Sequence, residues 1–596
     1  MKWKKIFKGR MQSLTTAVSR FPLTVAFLIL TTGINTLNIQ TEKVEYVEWM
    51  LACFMGALAA DVAQMSYEQF FREREKIRYA LFVPAVLFAI LFYFMIDIEA
   101  DIFSLKVVVR TAALAFALLI AFIWVPSIKS RLSFSDSFTA AFKSFFITII
   151  FSVVLGAGIL SILSAVNVLL INLDYRLFLH ASNIVALLFA PILFLSYIPV
   201  YLPQNKSDSV QTKQSDEVEE AISVPKILEV LLTYIVIPLT MIFTIILALY
   251  ILMNIGRDFW INNLLEPMLV SYAIVVILVM LLIGRLDNKV VVKFRLIFPK
   301  ILLLIVLLQT VASVIQISEK GLTIGRYYVI LFGIFAIIAS IIFSIWPKQK
   351  NGLVAVVLIA FSLISITPPI DAFTVSKNGQ IAFLETTLRN NGMLTENNLQ
   401  PRNDLPENEQ RKIVETVNDL EQNGNIKEVS FLPDDYQTST DFESAFGFDP
   451  YNDGTIIEEY SYYYFEWTAE TRVNVSDYQQ LIKVQFDTLN TSSNDFGVQM
   501  IEIEGKTYQL ETQEIESDLI LSLNDQENGE IIQTNLTQAL EEIEPSSDFN
   551  QADLTFEQAF IENENNAAIV DTLVMQMDTN NDGSYYVELF VFVSIK

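Results

Sequence analysis

Eleven apolar stretches, each close to the length of one bilayer crossing, fill the first 370 residues and leave little freedom in the fold. They cover residues 21–39, 46–65, 79–96, 107–125, 145–171, 177–201, 231–255, 267–284, 298–317, 327–346 and 353–370. An α-helix rises about 1.5 Å per residue, so roughly 20 apolar residues cross a hydrocarbon core of about 30 Å. The weakest two are 46–65, which contains Glu48 and Asp61, and 353–370, which is short and ends in Pro368 and Pro369. With 53% hydrophobic residues and a mean hydropathy of +0.44, the chain is too apolar for an ordinary soluble protein. A polytopic membrane protein is the expected class.

The net charge of −26 conceals two halves of opposite sign. Residues 370–596 hold 44 of the 66 acidic residues and 10 of the 40 basic ones, a net of −34, which leaves +8 on residues 1–369. Basic residues resist translocation, so their distribution orients the spans. Alternate connections collect Lys and Arg at 2–20, 72–78, 129–143, 206–226, 285–300 and 348–350, twenty-three in all. The intervening connections hold only Lys43, Lys106, Arg176, Arg257, Lys320 and Arg326. The N-terminus is therefore expected in the cytoplasm and, after an odd number of crossings, the acidic C-terminal region outside it.

Within this frame, residues 1–20 form a basic amphipathic cytoplasmic segment, 21–202 a first group of six spans, and 203–226 a polar cytoplasmic linker. Residues 227–370 form a second group of five spans. Residues 371–596 form an acidic extracytoplasmic α+β domain. Its helices are expected over 376–391 and 405–423, the second with Leu405, Ile413, Val414, Val417 and Leu420 on one face. Strands are expected in YSYYYFEW, LIKVQF, VQMIEIEG, KTYQLE, DLILSL and YYVELFVFVSIK.

Four ordered motifs point to a family. They are WVP at Trp124, FAPILFLSYIP at Phe189, GLTIGRYY at Gly321, and SKNGQIAFLETTL at Ser376 after the last span. Together they resemble the bacterial membrane family catalogued as domain of unknown function 4153, over most of residues 15–490. Lys320 and Gly325 depart from that family's pattern, which carries an aromatic before the glycine and Asn before the arginine. The resemblance implies a many-spanning inner-membrane protein with a variable outer domain, and it supplies no catalytic residues.

Chemistry-bearing motifs are sparse. Cys53 is the sole cysteine, so neither an internal disulfide nor a CxxC site can form. No phosphate-binding GxxxxGK loop, nucleophile elbow or Cys/His zinc set occurs. The acidic C-terminal region would repel nucleic acid. Asp578, Asn580 and Asp582 match the start of a calcium-binding loop, but its twelfth position is Leu589 where a bidentate Glu is needed. The DPYNDGTIIEEY stretch at Asp449 departs further, and both read as Asp-Gly turns feeding strands. His180, the only histidine, and Asp61 are ionisable groups inside or near spans and hence candidate functional residues. The acids of DIEAD, Asp97 to Asp101, offer a carboxylate pair of the kind membrane glycosyltransferases use on a metal or sugar.

Arg326 is the local exception to the charge rule. It either snorkels to outer headgroups, with Tyr327 and Tyr328 in the aromatic belt, or pairs with an acid of the outer domain. The functional expectation is a non-enzymatic sensor, anchor or partner-binding protein of the cell envelope, requiring no cofactor. Its partners are the lipid bilayer and an envelope protein or ligand at the outer domain. The alternative is a transporter or flippase, for which Pro84, Pro191, Pro199 and Pro238 would break helices around a polar cavity containing Asn35, Asn167 or Asp61.

Overall fold

The computed structural model describes residues 14–41, 44–97, 104–201, 218–254, 266–346, 350–395, 398–433, 436–450, 461–465, 471–487, 497–515, 518–525, 529–541, 551–579 and 585–596. Among them, ten helices are long and apolar enough to cross a membrane. In chain order these are α1 (Pro22–Thr41), α2 (Val44–Phe70), α3 (Glu75–Asp97), α4 (Leu105–Trp124), α5 (Phe134–Leu169) and α6 (Tyr175–Tyr197). They continue as α7 (Val218–Asn254, interrupted at 223–225), α8 (Glu266–Leu282), α9 (Lys289–Ile315) and α10 (Ile324–Ile345). The chain is thus a multi-pass α-helical membrane protein followed by a sheet-rich C-terminal region. On α5, Val153, Val154, Ile162 and Val168 stay exposed, as a surface facing lipid tails requires.

The eleventh stretch differs from the others. It forms only α11 (Gly352–Ile364), 13 residues and so about 20 Å of helix. Pro368 and Pro369 lack amide donors and push the preceding residues out of the helical region, so the helix ends early and 365–370 continue as turns. The segment nevertheless joins opposite ends of the bundle. Asn351 donates to the Ser135 hydroxyl (3.2 Å) at the start of α5, whereas the Ile370 carbonyl accepts from the Tyr327 hydroxyl (2.6 Å) at the start of α10.

Local signals explain where these helices begin. Ser133 and Asp136 form a reciprocal capping box ahead of α5, and the Asn288 side chain accepts from the Val291 amide (3.0 Å) to open α9. Two prolines inside spans follow wide π-helical turns, Ile184–Phe189 before Pro191 and Leu232–Val236 before Pro238. In both, the residue just before the proline donates five residues back, Ala190 to Val185 and Ile237 to Leu232, and the helix passes the proline unbroken.

Contacts divide the chain into two compact units: Met1–Leu388 with Glu415–Val429, and Arg389–Val414 with Ser430–Lys596. Helix α12 (Ala372–Asn390), expected as the opening helix of the tail, therefore belongs to the first unit up to Leu388. Helix α13 (Glu407–Gln422) follows the expected span and buries Ile413, Val417 and Leu420.

The second unit contains helix α14 (Thr438–Phe446), a two-residue hairpin of β1 (Leu394–Thr395) and β2 (Asn398–Leu399), and two larger sheets. One is built from β3 (Ser461–Tyr464), β4 (Gln480–Asp487), β9 (Gln551–Asp553), β10 (Phe560–Ile561), β11 (Ala568–Thr579) and β12 (Tyr585–Ile595), in the order β4-β12-β11-β3-β9 with β10 against β11. The other is an antiparallel meander of β5 (Gly497–Ile503), β6 (Lys506–Ile515), β7 (Asp518–Asp525) and β8 (Gly529–Asn535). The two sheets share one apolar core, to which Leu510, Leu521, Val570, Leu573, Leu589 and Val591 contribute.

A buried carboxylate and a half-buried tyrosine brace this core. Asp571 (5% exposed) accepts from the Tyr478 hydroxyl (2.5 Å) on one carboxylate oxygen and from the Asn563 amide (2.8 Å) on the other. Burial, and then the bond to Asp571, holds the Tyr478 phenol well above its usual range. Because the folded state binds that proton more tightly than the unfolded chain, the contribution is complete below about pH 10 and fades as pH rises beyond it. Tyr478→Phe is expected to destabilise the unit by about 1–3 kcal/mol, since it strips a donor from a buried carboxylate. Thermal unfolding of the full chain in detergent should show this near neutral pH, with the gap to wild type narrowing above pH 10.

Candidate functional site

The short break between α9 and α10 is closed by two sequence devices. Gly321, at φ +69°, terminates the single helical turn Ile317–Lys320, a left-handed conformation that favours glycine. Thr323 then caps α10, its hydroxyl accepting from the Arg326 amide at 3.3 Å. The turn aims the Gly321 carbonyl at the Arg326 guanidinium, whose Nη1 donates to it at 2.5 Å. Arg326 is 6% exposed, so it does not snorkel to the surface as the charge pattern alone allowed.

Helix α12 packs onto this break through small and polar side chains. Asp371 caps it, accepting from the Phe373 and Thr374 amides at 3.1 Å each. One face then carries Ser376 and Gln380, both buried. The Ser376 hydroxyl donates to the Leu322 carbonyl (2.9 Å). A Cβ on Gly379 would stand 3.0 Å from the Leu322 Cβ, and one on Gly321 would meet Gln380 Oε1 at 2.6 Å. The absence of side chains at Gly321 and Gly379 is what permits this approach. Two of the motifs that carry the resemblance, GLTIGRYY and SKNGQIAF, thus meet in one place.

Carboxylates complete the surroundings. Glu266, the first residue of α8, accepts from the Ser313 hydroxyl of α9 at 2.5 Å, and Glu266 and Glu415 both act electrostatically on Arg326. A buried cation bonded to a turn carbonyl, with two carboxylates in its field, is a clasp that closes the break.

The other predicted residues lie elsewhere. His180 is half-buried on α6, with Nε2 2.7 Å from the Gln40 side-chain amide of α1. One turn away, Asn183 accepts from Asn35 (2.9 Å) and donates to the Thr32 carbonyl (3.0 Å) and the Thr36 hydroxyl (3.1 Å). Asp61 lies toward the opposite end of the bundle, where it accepts from the Thr24 hydroxyl at 2.7 Å. Of the calcium candidates, Asn580 and Asp582 lie outside the described residues, as does the side chain of Asp578 at the end of β11. No group of three or more metal-ligating side chains occurs among the described residues. Of the DIEAD loop, residues 98–101 and the Asp97 side chain also lie outside them.

Asp61 marks the edge of a larger network. Arg20 forms a bidentate pair with Glu68 (2.8 and 2.7 Å), the two side chains 10% and 9% exposed, and donates to the carbonyls of Ile198 (2.6 Å) and Pro199 (3.1 Å). Arg78 donates to Gln64 Oε1 (3.0 Å) and to the Arg20 carbonyl (2.7 Å), and Gln64 donates to Glu68 (2.8 Å). Beyond it at the same end, Arg285 bridges Asp136 and Glu219, each at 2.6 Å. Asp61, Gln64 and Glu68 follow helical spacing, a polar stripe visible in the sequence. Arg20, by contrast, reads there only as one more basic flank residue.

Residues 50–395, more than half of the chain, match the family model described as domain of unknown function (DUF4153). No curated protein and no solved structure matches the chain.

Proposed function

The chain belongs to the family described as a domain of unknown function, DUF4153, and from that membership we propose a non-catalytic sensor, anchor or partner-binding protein of the bacterial cytoplasmic membrane, acting through residues 371–596. The observation that carries this reading is the clasp on α12. The chain leaves its last apolar segment and at once enters a helix held to the Gly321–Arg326 break by Ser376, Gly379 and Gln380. A ligand or partner captured beyond that helix would find it already coupled to α9 and α10.

The orientation rests on the Lys and Arg distribution, twenty-three against six. The Arg20–Glu68–Arg78 and Asp136–Arg285 groups would then face the cytoplasm, and the Arg326 clasp the outside. The reach of residues 351–370 from one end of the bundle to the other supports an odd number of crossings.

A transporter needs a polar lining shared by several spans. Here Asn35 bonds Asn183, Asn167 accepts from the Leu173 amide (2.6 Å), and Asp61 bonds Thr24 toward the other end. These contacts favour the anchor or sensor reading over transport.

Two measurements test the proposal. A reporter enzyme active only outside the cytoplasm, fused after Lys596, is expected to be active, and activity of a cytoplasmic reporter there would overturn the orientation. Photo-crosslinking from surface positions of 371–596 in intact cells is expected to capture a reproducible envelope component. A pattern no different from that of an unrelated outer domain would remove the partner-binding role.

A further inference from the structure

A groove of about 370 Å³ opens where α4, α10 and α11 meet. Val109, Ala113 and Phe116 line it from α4, Phe332 from α10, and Leu358 and Phe361 from α11. Ala112 and Ala113 leave the width, because they put single methyl groups where the flanking helices put phenyl rings. The polar groups lie toward one end, that of the Tyr327–Ile370 bond: Tyr328 near the start of α10, and Ser362 and Ser365 at the close of α11. Both serine hydroxyls donate back to their own helix, to the carbonyls of Leu358 (2.9 Å) and Ser362 (2.8 Å), so they impose no donor on an apolar occupant.

The α4 face that lines the groove continues outward into positive charge. Lys106 and Arg110 precede Val109 and Ala113 at helical spacing, and the Tyr328 hydroxyl stands in the fields of both Arg110 and the buried Asp371 carboxylate. An apolar slot in a membrane confers no preference by itself, since lipid tails are as apolar as the side chains that line it. Selectivity must come from the charged end. There a guanidinium and an ammonium complement a phosphate, which accepts hydrogen bonds from both.

We propose that this groove holds an acyl chain of an anionic phospholipid from the leaflet at that end, with the headgroup phosphate against Lys106 and Arg110. A zwitterionic lipid fits the slot equally well but brings its own ammonium, which cancels much of the attraction. Bound lipid would also pack α11, the shortest helix of the bundle, against α4 and α10. The assignment depends neither on which side of the membrane this end faces nor on what residues 371–596 bind.

The full chain, purified in detergent and incubated with equal amounts of phosphatidylglycerol and phosphatidylcholine of matched chain length, is read by native mass spectrometry after detergent exchange. Wild type is expected to retain phosphatidylglycerol over phosphatidylcholine by roughly tenfold or more, as two cations near a headgroup allow. The double variant K106Q/R110Q should bring that ratio close to one while total retained lipid changes little. Ala113→Trp, which fills the slot, should lower retention of both lipids, with gel filtration reporting whether it folds. Ala113→Leu gives the same reading with less strain. Equal retention of the two lipids by wild type, or an unchanged ratio in K106Q/R110Q, overturns the proposal.

Discussion

Arg326→Glu is expected to free helix α12 from the break between α9 and α10. The substitution removes the donor to the Gly321 carbonyl and sets a third carboxylate in the field of Glu266 and Glu415, at a position that is 6% exposed. Leaving buried charge uncompensated costs about 3–5 kcal/mol. If the cost falls on the clasp, local opening rises by roughly 100-fold to several thousandfold, at tenfold per 1.4 kcal/mol. Limited proteolysis of the full chain should then show accelerated cleavage within residues 372–388. Arg326→Lys keeps the charge but not the planar fork, and should fall between the two. Unchanged cleavage in Arg326→Glu would remove the clasp from any account of how the tail and the spans communicate.

Much of this architecture was legible in the sequence, and what was not has identifiable causes. The long spans announce themselves because apolar runs of about 20 residues have few alternatives. The eleventh was ambiguous for a physical reason: its prolines shorten the helix, and only the bonds of Asn351 and Ile370 show that it reaches both ends. Strand β11 was missed because it is central and covered on both faces. Ala568, Val570, Leu573, Val574 and Met577 are all buried, and alternation, the signal of a half-exposed strand, disappears. Helix α12 was foreseen as a helix but given to the tail, since Ser376 and Gln380 look like solvated positions. They are buried because they satisfy a turn of backbone, which no periodicity of hydrophobic residues reports. Arg326 stood out as a charge in the wrong place, while its partner, a main-chain carbonyl five residues back, leaves no trace in composition.

The same blindness to partners hid the network at the opposite end, where the second large effect is expected. Glu68→Gln leaves the buried Arg20 guanidinium facing only neutral acceptors and should cost about 3 kcal/mol or more in the stability of the full chain in detergent. Removing both charges with R20M/E68L should recover much of that loss, because neither ion then remains in a desolvated site. Recovery should stop short of wild type by about 1 kcal/mol, since the Ile198 and Pro199 carbonyls lose their donor. The double-mutant cycle of R20M, E68L and R20M/E68L separates the charge pair from these backbone bonds, and additive losses from the two single variants R20M and E68L would show that the pair is not coupled. Burial also limits screening, so the losses should change little between low and moderate salt, unlike those of a surface pair. A coupled, salt-insensitive result would identify this end as the fixed base of the bundle. Arg20 and Arg78 there tie the starts of α1 and α3 to the ends of α2 and α6. Motion that begins at the tail would then be taken up at the other end, where α12 rests on the Gly321–Leu322 turn through a serine and two close-packed glycines, and Arg326 braces that turn, with no interlocked ion pairs between them among the described residues.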